Sequence, residues 1–391
     1  MITVDEARAK LFELAAPTPV EEVALIEAAG RVLARDVAAR RDQPPFAASS
    51  MDGYAVKTAE VQLHAMFKVI GEAAAGRRFD GHVQAGQAVR IFTGAPMPEG
   101  ADFVVIQEDI NRSGNLITIV NEPGSRDNVR PLGGDFRAGL TVPAPRLLRP
   151  NDLALLAAMN IDRVPVHRKP VVALISTGDE LVMPGDTPGP DQIIASNTFG
   201  LKALFEEVGA EVRMLPIARD NHAALKMAFD LAAGADLVIT IGGASVGDHD
   251  LVGEVAEALG MERAFYKVLM RPGKPLMAGR LNGAAMIGLP GNPVSAMVCG
   301  HVFVVPMIRA ILGLGALAPG LKRAELAVDL PANGPREHYM RAEVNEQGWI
   351  GVASDQDSSF LTILAGANAL LRRPRNDPAR AAGEVVEYLP I

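Results

Sequence analysis

The chain has 391 residues, a net charge of -8, 49% hydrophobic residues and only 5% aromatics, so it can build two to four aliphatic-cored domains and carries no basic footprint for nucleic acid. One cysteine, Cys299, excludes an intrachain disulfide framework, and the seven scattered histidines show no zinc-type spacing. The opening MITVDEARAKLFELA lacks a signal-peptide core, and no run of about 18 apolar residues is read, so a cytoplasmic protein without nucleic-acid or membrane partners is expected.

In chain order, residues 3–15 read as a helix, with Thr3 and Glu6 at capping-box spacing and acids in the first turn. A second helix is predicted from Thr18, with Pro19 at its first position and Glu21 three residues after the cap, closing at Gly30. Residues 42–56, DQPPFAASSMDGYAV, read as an extended loop entering a strand, in which Asp52 serves plain Asp-Gly turn chemistry. From about Val56 to Val142, short apolar runs at 67–70, 88–92, 103–106 and 116–120 alternate with turn residues, which predicts a small β domain. A short helix follows at about 151–159. Residues 168–314 then alternate strand and helix: strands at 171–175, 211–216, 237–241 and 284–287, with helices between them. Asp220 or Asn221 caps the helix running to Gly234, and Asn292-Pro293 reads as N-cap and first turn of a long apolar helix. The tail from about Leu321 returns to short strands. The expected class is therefore α/β and multidomain: a doubly wound α/β domain, an inserted small β domain, a partly helical N-terminal domain and a C-terminal β domain. The boundaries are 1–55 with 143–167, 56–142, 168–320 and 321–391.

In doubly wound sheets, ligands sit beyond the carboxyl ends of the strands. Three loops occupy that position here, 176–180, 242–250 and 288–295, each pairing glycine with hydroxyls, amides or acids. The central one, DLVITIGGASVGDHD, runs from a buried-type strand through Gly242-Gly243 to Ser245, Asp248 and Asp250. It suits an anion and metal site, and equally a tight turn before an acidic helix start. Lys267, Arg271 and Lys274 bring three cations into eight residues, and Pro-Gly-Lys-Pro holds Lys274 on a stiff loop suited to an oxyanion. Gly243–Gly247 matches the G-x-S-x-G nucleophile elbow, but His301 falls in an apolar helical run and the flanking glycine and acids fit an esterase poorly. Gly273-Lys274 is followed by Pro275 and is not a Walker A loop.

Together the stretches PPFAASSMDGYAV, IFTGAPMPEGADFVVIQED, VALISTGDEL, SNTFGL, DLVITIGGASVGDHD, RPGKP and GLPGNPVSA resemble the molybdopterin molybdenumtransferase family, which shares its fold with the gephyrin E domain. They cover most of residues 42–300 in the family's order. The resemblance implies an elongated homodimer whose C-terminal domain is a β barrel. It also implies a molybdenum insertase that takes adenylylated molybdopterin and molybdate, releases AMP and uses magnesium, with a molybdopterin adenylyltransferase as substrate donor. The family's functional acids fall on Asp52, Asp135, Glu180, Asp220 and Asp250, with Glu180, Asp220 and Asp250 for Mg2+. Its basic positions fall on Lys267, Arg271 and Lys274. Thr177, Gly178, Gly242, Gly243, Ser245, Gly291, Asn292, Ser295, Arg341 and Ser358 are the implied cofactor-binding positions. Asp52 and Asp135 lie outside the α/β domain, and in the family such residues reach the partner subunit's pocket. Arg271 stands where the family usually has lysine, Gly134 where an acid often precedes the aspartate, and the C-terminal region matches least.

Two other readings are a non-catalytic molybdopterin-binding scaffold on the same fold, and the preceding adenylylation of molybdopterin. Retention of the acids and Lys274 counts against the first. The inserted β domain, absent from single-domain proteins of the adenylylating type, counts against the second.

Overall fold

The computed structural model describes residues 1–243 and 251–391. The first helix, Val4–Leu14, is capped as its sequence predicts: the Thr3 hydroxyl accepts from the Glu6 N–H while Glu6 reaches back to Thr3. Its Val4, Ala7 and Leu11 are buried in the same core as the α/β strands. The second predicted helix does not form. Val20–Ala24 is instead a strand, antiparallel to Arg163–His167, followed by a single 3-10 turn at Leu25–Glu27. Thr18, read as an N-cap, is buried and donates its hydroxyl to the Arg168 carbonyl at 2.6 Å. A pairing partner about 140 residues away overrides the local capping pattern. This strand belongs to a four-stranded sheet covered by the helix Pro150–Ala158.

Two antiparallel ribbons, 37–38 with 141–142 and 48–49 with 129–130, lead from that sheet to the inserted domain. There six strands form one sheet in the order 103–106, 53–56, 87–91, 66–73, 116–119, 110–113. Alternation puts Tyr54 and Val56 in one core and Ala55 in another, so both faces of the sheet are covered.

The α/β domain is built on Val171–Ser176, which lies between Glu211–Met214 and Leu237–Ile241. Ala284–Leu289 pairs parallel with Leu237–Ile241, and two antiparallel strands, Met277–Leu281 and Glu262–Tyr266, complete the sheet. All five residues of Leu237–Ile241 are buried, as an unalternated β-branched run requires. The helical run Pro293–Ile311 is 19 residues long and apolar enough to cross a bilayer, contrary to the reading that no such run exists. Its most apolar stretch is 78% buried inside the protein, which marks it as a core helix.

The C-terminal strands close on themselves, Glu337–Val344 pairing with both Trp349–Val352 and Ala369–Arg373, to give the expected barrel, which has five strands. A sixth strand, Met270–Arg271, joins it in parallel alongside Glu337 and His338. The basic loop is thereby fastened to the barrel. The N-terminus braces it from the other side, where the Ile2 N–H donates to the Lys267 carbonyl and the Leu269 N–H to the Ile2 carbonyl.

Candidate active site

A cleft of about 640 Å³ opens at the carboxyl ends of the three parallel strands Val171–Ser176, Leu237–Ile241 and Ala284–Leu289. Its size suits a drug-sized ligand. The loops that follow these strands are braced by continued ladder bonds: Thr177 N–H to Ile241 O at 3.0 Å, and Gly242 N–H to Leu289 O at 3.1 Å. Gly242 has φ +94°, and a Cβ there would stand 2.7 Å from the Thr177 carbonyl; at Gly243, with φ +65°, it would stand 2.2 Å from Val252 Cγ2. No side chain fits either position, so the chain turns hard beside the cleft. The Thr177 hydroxyl lies under these glycines, buried, with no hydrogen-bond partner among the described residues. Such an orphan is costly unless a ligand or water completes it.

Of the residues singled out by sequence, Thr177, Gly178, Glu180, Asp220, Gly242, Gly243, Gly291 and Asn292 line this cleft together. Ser245 and Asp250, and with them Asp248 and the G-x-S-x-G match, lie outside the described residues. Asp220 is not the helix cap: Asn221 is, its side-chain oxygen accepting the Ala224 N–H at 2.9 Å. The Asp220 carboxylate is thus left facing the cleft. Desolvation and the negative charges of Asp179 and Glu180 push its carboxyl above the ordinary value. Arg219 secures this acidic turn by donating to the Asp179 carbonyl at 2.7 Å.

The C-terminal domain reaches the cleft through the segment 355–360. The Ser358 carbonyl accepts the Val294 N–H at 3.1 Å, satisfying one free donor of the Pro293 helix start, and Asn292 donates its amide to the Ser358 hydroxyl at 3.0 Å. Ser359, which the sequence placed in a polar cluster without a role in the site, lines the cleft beside it. Arg341 is 1% exposed, and its guanidinium donates to the carbonyls of Asp357 at 2.7 Å, Asp355 at 3.3 Å and Phe360 at 3.4 Å. It shapes the segment that carries Ser358 and Ser359. Ser295 is buried in the first turn of the same helix and does not line the cleft.

The three cations are placed differently. Pro275 lines the cleft, and Lys274, one residue before it, is half-buried with no ion-pair partner among the described residues. Lys267 stacks its ammonium 4.5 Å from the Tyr266 ring centre. Arg271 stands in register with His338 on the barrel strand. Burial first, and then the surrounding Arg271, Arg336, Arg373 and Arg341, push that imidazole down to about 4, so it is neutral near pH 7. Asp52 and Asp135 do not line this cleft. Asp52 lies on the inserted domain, its carboxylate accepting the Thr93 N–H and hydroxyl at 2.8 and 2.9 Å, and Asp135 is exposed in a bend on the connection back from it.

The architecture defines a multidomain α/β protein with a glycine-walled, acid-rimmed cleft at a sheet's carboxyl edge. Residues 2–160 match the MoeA N-terminal region (domain I and II), residues 173–310 the probable molybdopterin binding domain, and residues 323–391 the MoeA C-terminal region (domain IV). The molybdopterin molybdenumtransferase of Haemophilus influenzae is 37% identical, with 100% of this chain and 99% of that protein covered. That of Nostoc sp. is also 37% identical, over 95% of this chain and 89% of its own. The crystal structure of a molybdopterin biosynthesis MoeA protein from Pyrococcus horikoshii OT3 superposes with a TM-score of 0.86 at 27% identity, covering 100% of both chains. The chain belongs to the molybdopterin molybdenumtransferase family, and its role lies in molybdenum cofactor biosynthesis.

Proposed function

We propose that this protein is a molybdenum insertase that takes adenylylated molybdopterin, places molybdate at its dithiolene and releases AMP. The observation that carries this reading is the convergence of the three glycine loops on one cleft with Glu180 and Asp220 at its rim. The orphan Thr177 hydroxyl and the backbone N–H groups of the loops suit phosphate oxygens. Lys274 and Arg271, on the loop fastened to the barrel, suit the molybdate oxyanion. Ser358 and Arg341 are proposed to build that same end of the site, Arg341 through the segment it organises, and Ser295, buried in the first turn of the Pro293 helix, to support it from behind.

Magnesium fits the donor set, because Glu180, Asp220 and the neighbouring Asp179 crowd hard oxygen donors whose mutual repulsion a cation relieves. Among the described residues, no three His, Cys, Asp or Glu side chains close a metal cluster by themselves. The proposed ligands are Glu180, Asp220 and Asp250, the set that the family resemblance implies. When bound, the ion supplies a countercharge to the phosphoanhydride oxygens. Asp52 and Asp135 are proposed to serve the cleft of a second copy in a homodimer. A molybdopterin adenylyltransferase is the proposed substrate donor, and the cytoplasm the proposed compartment. The test is AMP release from adenylylated molybdopterin with magnesium, with and without molybdate. We expect molybdate-dependent release that drops at least about a hundredfold in Lys274→Ala and in Asp250→Asn. Tight ligand binding without release in the wild type would instead favour a binding scaffold.

A further inference from the structure

Among the described residues, Arg90 makes no direct ion pair. It lies on the strand Gln87–Ile91, directly across from Tyr54. Its guanidinium carbon is 5.0 Å from the Tyr54 ring centre and 4.8 Å from that of Phe92. Glu72, in register on its other side, pairs with Arg77 at 2.9 Å. Arg90 therefore donates to neutral acceptors, the Gly53 carbonyl at 3.2 Å and the Gln107 side-chain oxygen at 2.6 Å. The Gln107 backbone N–H in turn donates to the Asp52 carbonyl at 3.0 Å. One planar fork thus holds the carbonyls of two consecutive residues, one directly and one through Gln107. Three residues along, the Thr93 N–H and hydroxyl both bond Oδ1 of Asp52. Oδ2 has no hydrogen-bond partner among the described residues. A carboxylate held by one oxygen in a turn at the end of a sheet, with the other oxygen open, is the form expected of a group that meets its target outside its own domain.

We infer that Arg90 is a positioning residue, its guanidinium held beside the Tyr54 and Phe92 rings and fixing the Asp52–Gly53 backbone so that Asp52 presents its free oxygen to the reaction. The inference rests on the proposed function, which gives Asp52 its part in that reaction. Lysine cannot replace the clamp, since an ammonium lacks the planar fork that spans both acceptors. The test uses the full chain labelled with carboxyl-13C aspartate, the Asp52 signal being assigned by its loss in Asp52→Asn. In Arg90→Gln the Asp52 titration moves up, because Arg90 is the charged side chain that helps hold this carboxyl below its ordinary value after the two Thr93 bonds. The kcat for AMP release falls about tenfold while KM changes less than about twofold, as misplacement of one group predicts. Arg90→Lys restores the titration and only part of kcat. An unmoved Asp52 titration in folded Arg90→Gln overturns the clamp. So does an activity loss equal in the two variants that tracks a lowered melting midpoint, and so does an Asp52→Asn protein with wild-type kcat. Absence of AMP release in the wild type would overturn the proposed function separately, since the titration reads the coupling of the Arg90 charge to Asp52 without any substrate, and the difference between Arg90→Gln and Arg90→Lys in kcat reads the clamp.

Discussion

The cleft and the C-terminal barrel each hold a cluster of carboxylates, and the two are wired in opposite ways. In the barrel, Asp377 is enclosed by Arg373 at 2.5 Å and Arg380 at 2.6 Å, while Glu337 takes Arg372 at 2.9 Å and the Tyr339 hydroxyl at 2.6 Å. At the cleft, Glu180 and Asp220 line the wall and the charges of Asp179 and Glu180 act on Asp220, while the nearby Arg219 gives its hydrogen bonds to carbonyls. Burial pushes the Asp377 carboxyl up, yet the hydrogen bonds and charges of Arg380 and Arg373 outweigh it and hold the group below its ordinary value. Asp220 moves the other way. The barrel acids are completed by this chain's own cations. The cleft acids wait for something the chain does not supply.

The largest effect should come from breaking the completed cluster. The side chains of Arg373 and Asp377 are only 3% and 5% exposed. Asp377→Ala leaves a buried guanidinium without its partner, which costs about 3–5 kcal/mol and should be read as a lower denaturation midpoint. The pH dependence has the same origin. A carboxyl whose folded value is depressed contributes stability that is present above its unfolded value, about 3.9, and is lost as pH falls through the folded value. Wild-type stability should therefore drop on acidification below about pH 4 more steeply than that of Asp377→Asn. Equal slopes in the two proteins would show that the Arg373–Asp377–Arg380 cluster is not a source of stability.

The converse change sharpens the contrast. Asp220→Asn removes one of three mutually repelling charges and caps nothing, since Asn221 does that. Its stability should stay within about 0.5 kcal/mol of wild type. The proposed AMP release should fall about a hundredfold. A large loss of stability with activity intact would make Asp220 a structural residue and remove the contrast between the clusters.

Where the information was local, the sequence was readable. The unalternated run at 237–241, the Thr3–Glu6 box and the Gly242-Gly243 turn each sit within a few residues, and each forms as read. The family motifs likewise pointed to eight residues that share one cleft. What failed was set by distant partners. Pro19 and Glu21 imitate a helix start, but the antiparallel partner at 163–167 decides the conformation. Arg341 sits in a strand of ordinary appearance, and nothing nearby in sequence foretells that its guanidinium is consumed by carbonyls at 355, 357 and 360. Arg90 gives no local signal either, because Tyr54 and Gln107 reach it only through the sheet. Asp220 was ambiguous for a different reason: two adjacent residues could both cap, and only geometry separates them.

The smallest expected effect tests whether the cleft is shaped as tightly as its glycines suggest. Gly178 has φ +149°, and a Cβ there would stand 2.3 Å from Glu180 Oε2. Gly178→Ala must therefore move the Glu180 carboxylate, a flexible end that can yield without unfolding the loop. The expected result is a loss of about tenfold in AMP release, equivalent to about 1.4 kcal/mol, with a comparable or smaller change in stability. Gly351 on the barrel is the control, because a Cβ there meets nothing closer than 3.9 Å. Gly351→Ala should leave both quantities nearly unchanged. If the two alanine variants behave alike, the Glu180 carboxylate tolerates displacement, and the reading of the acid rim as a preorganised cation site loses its support.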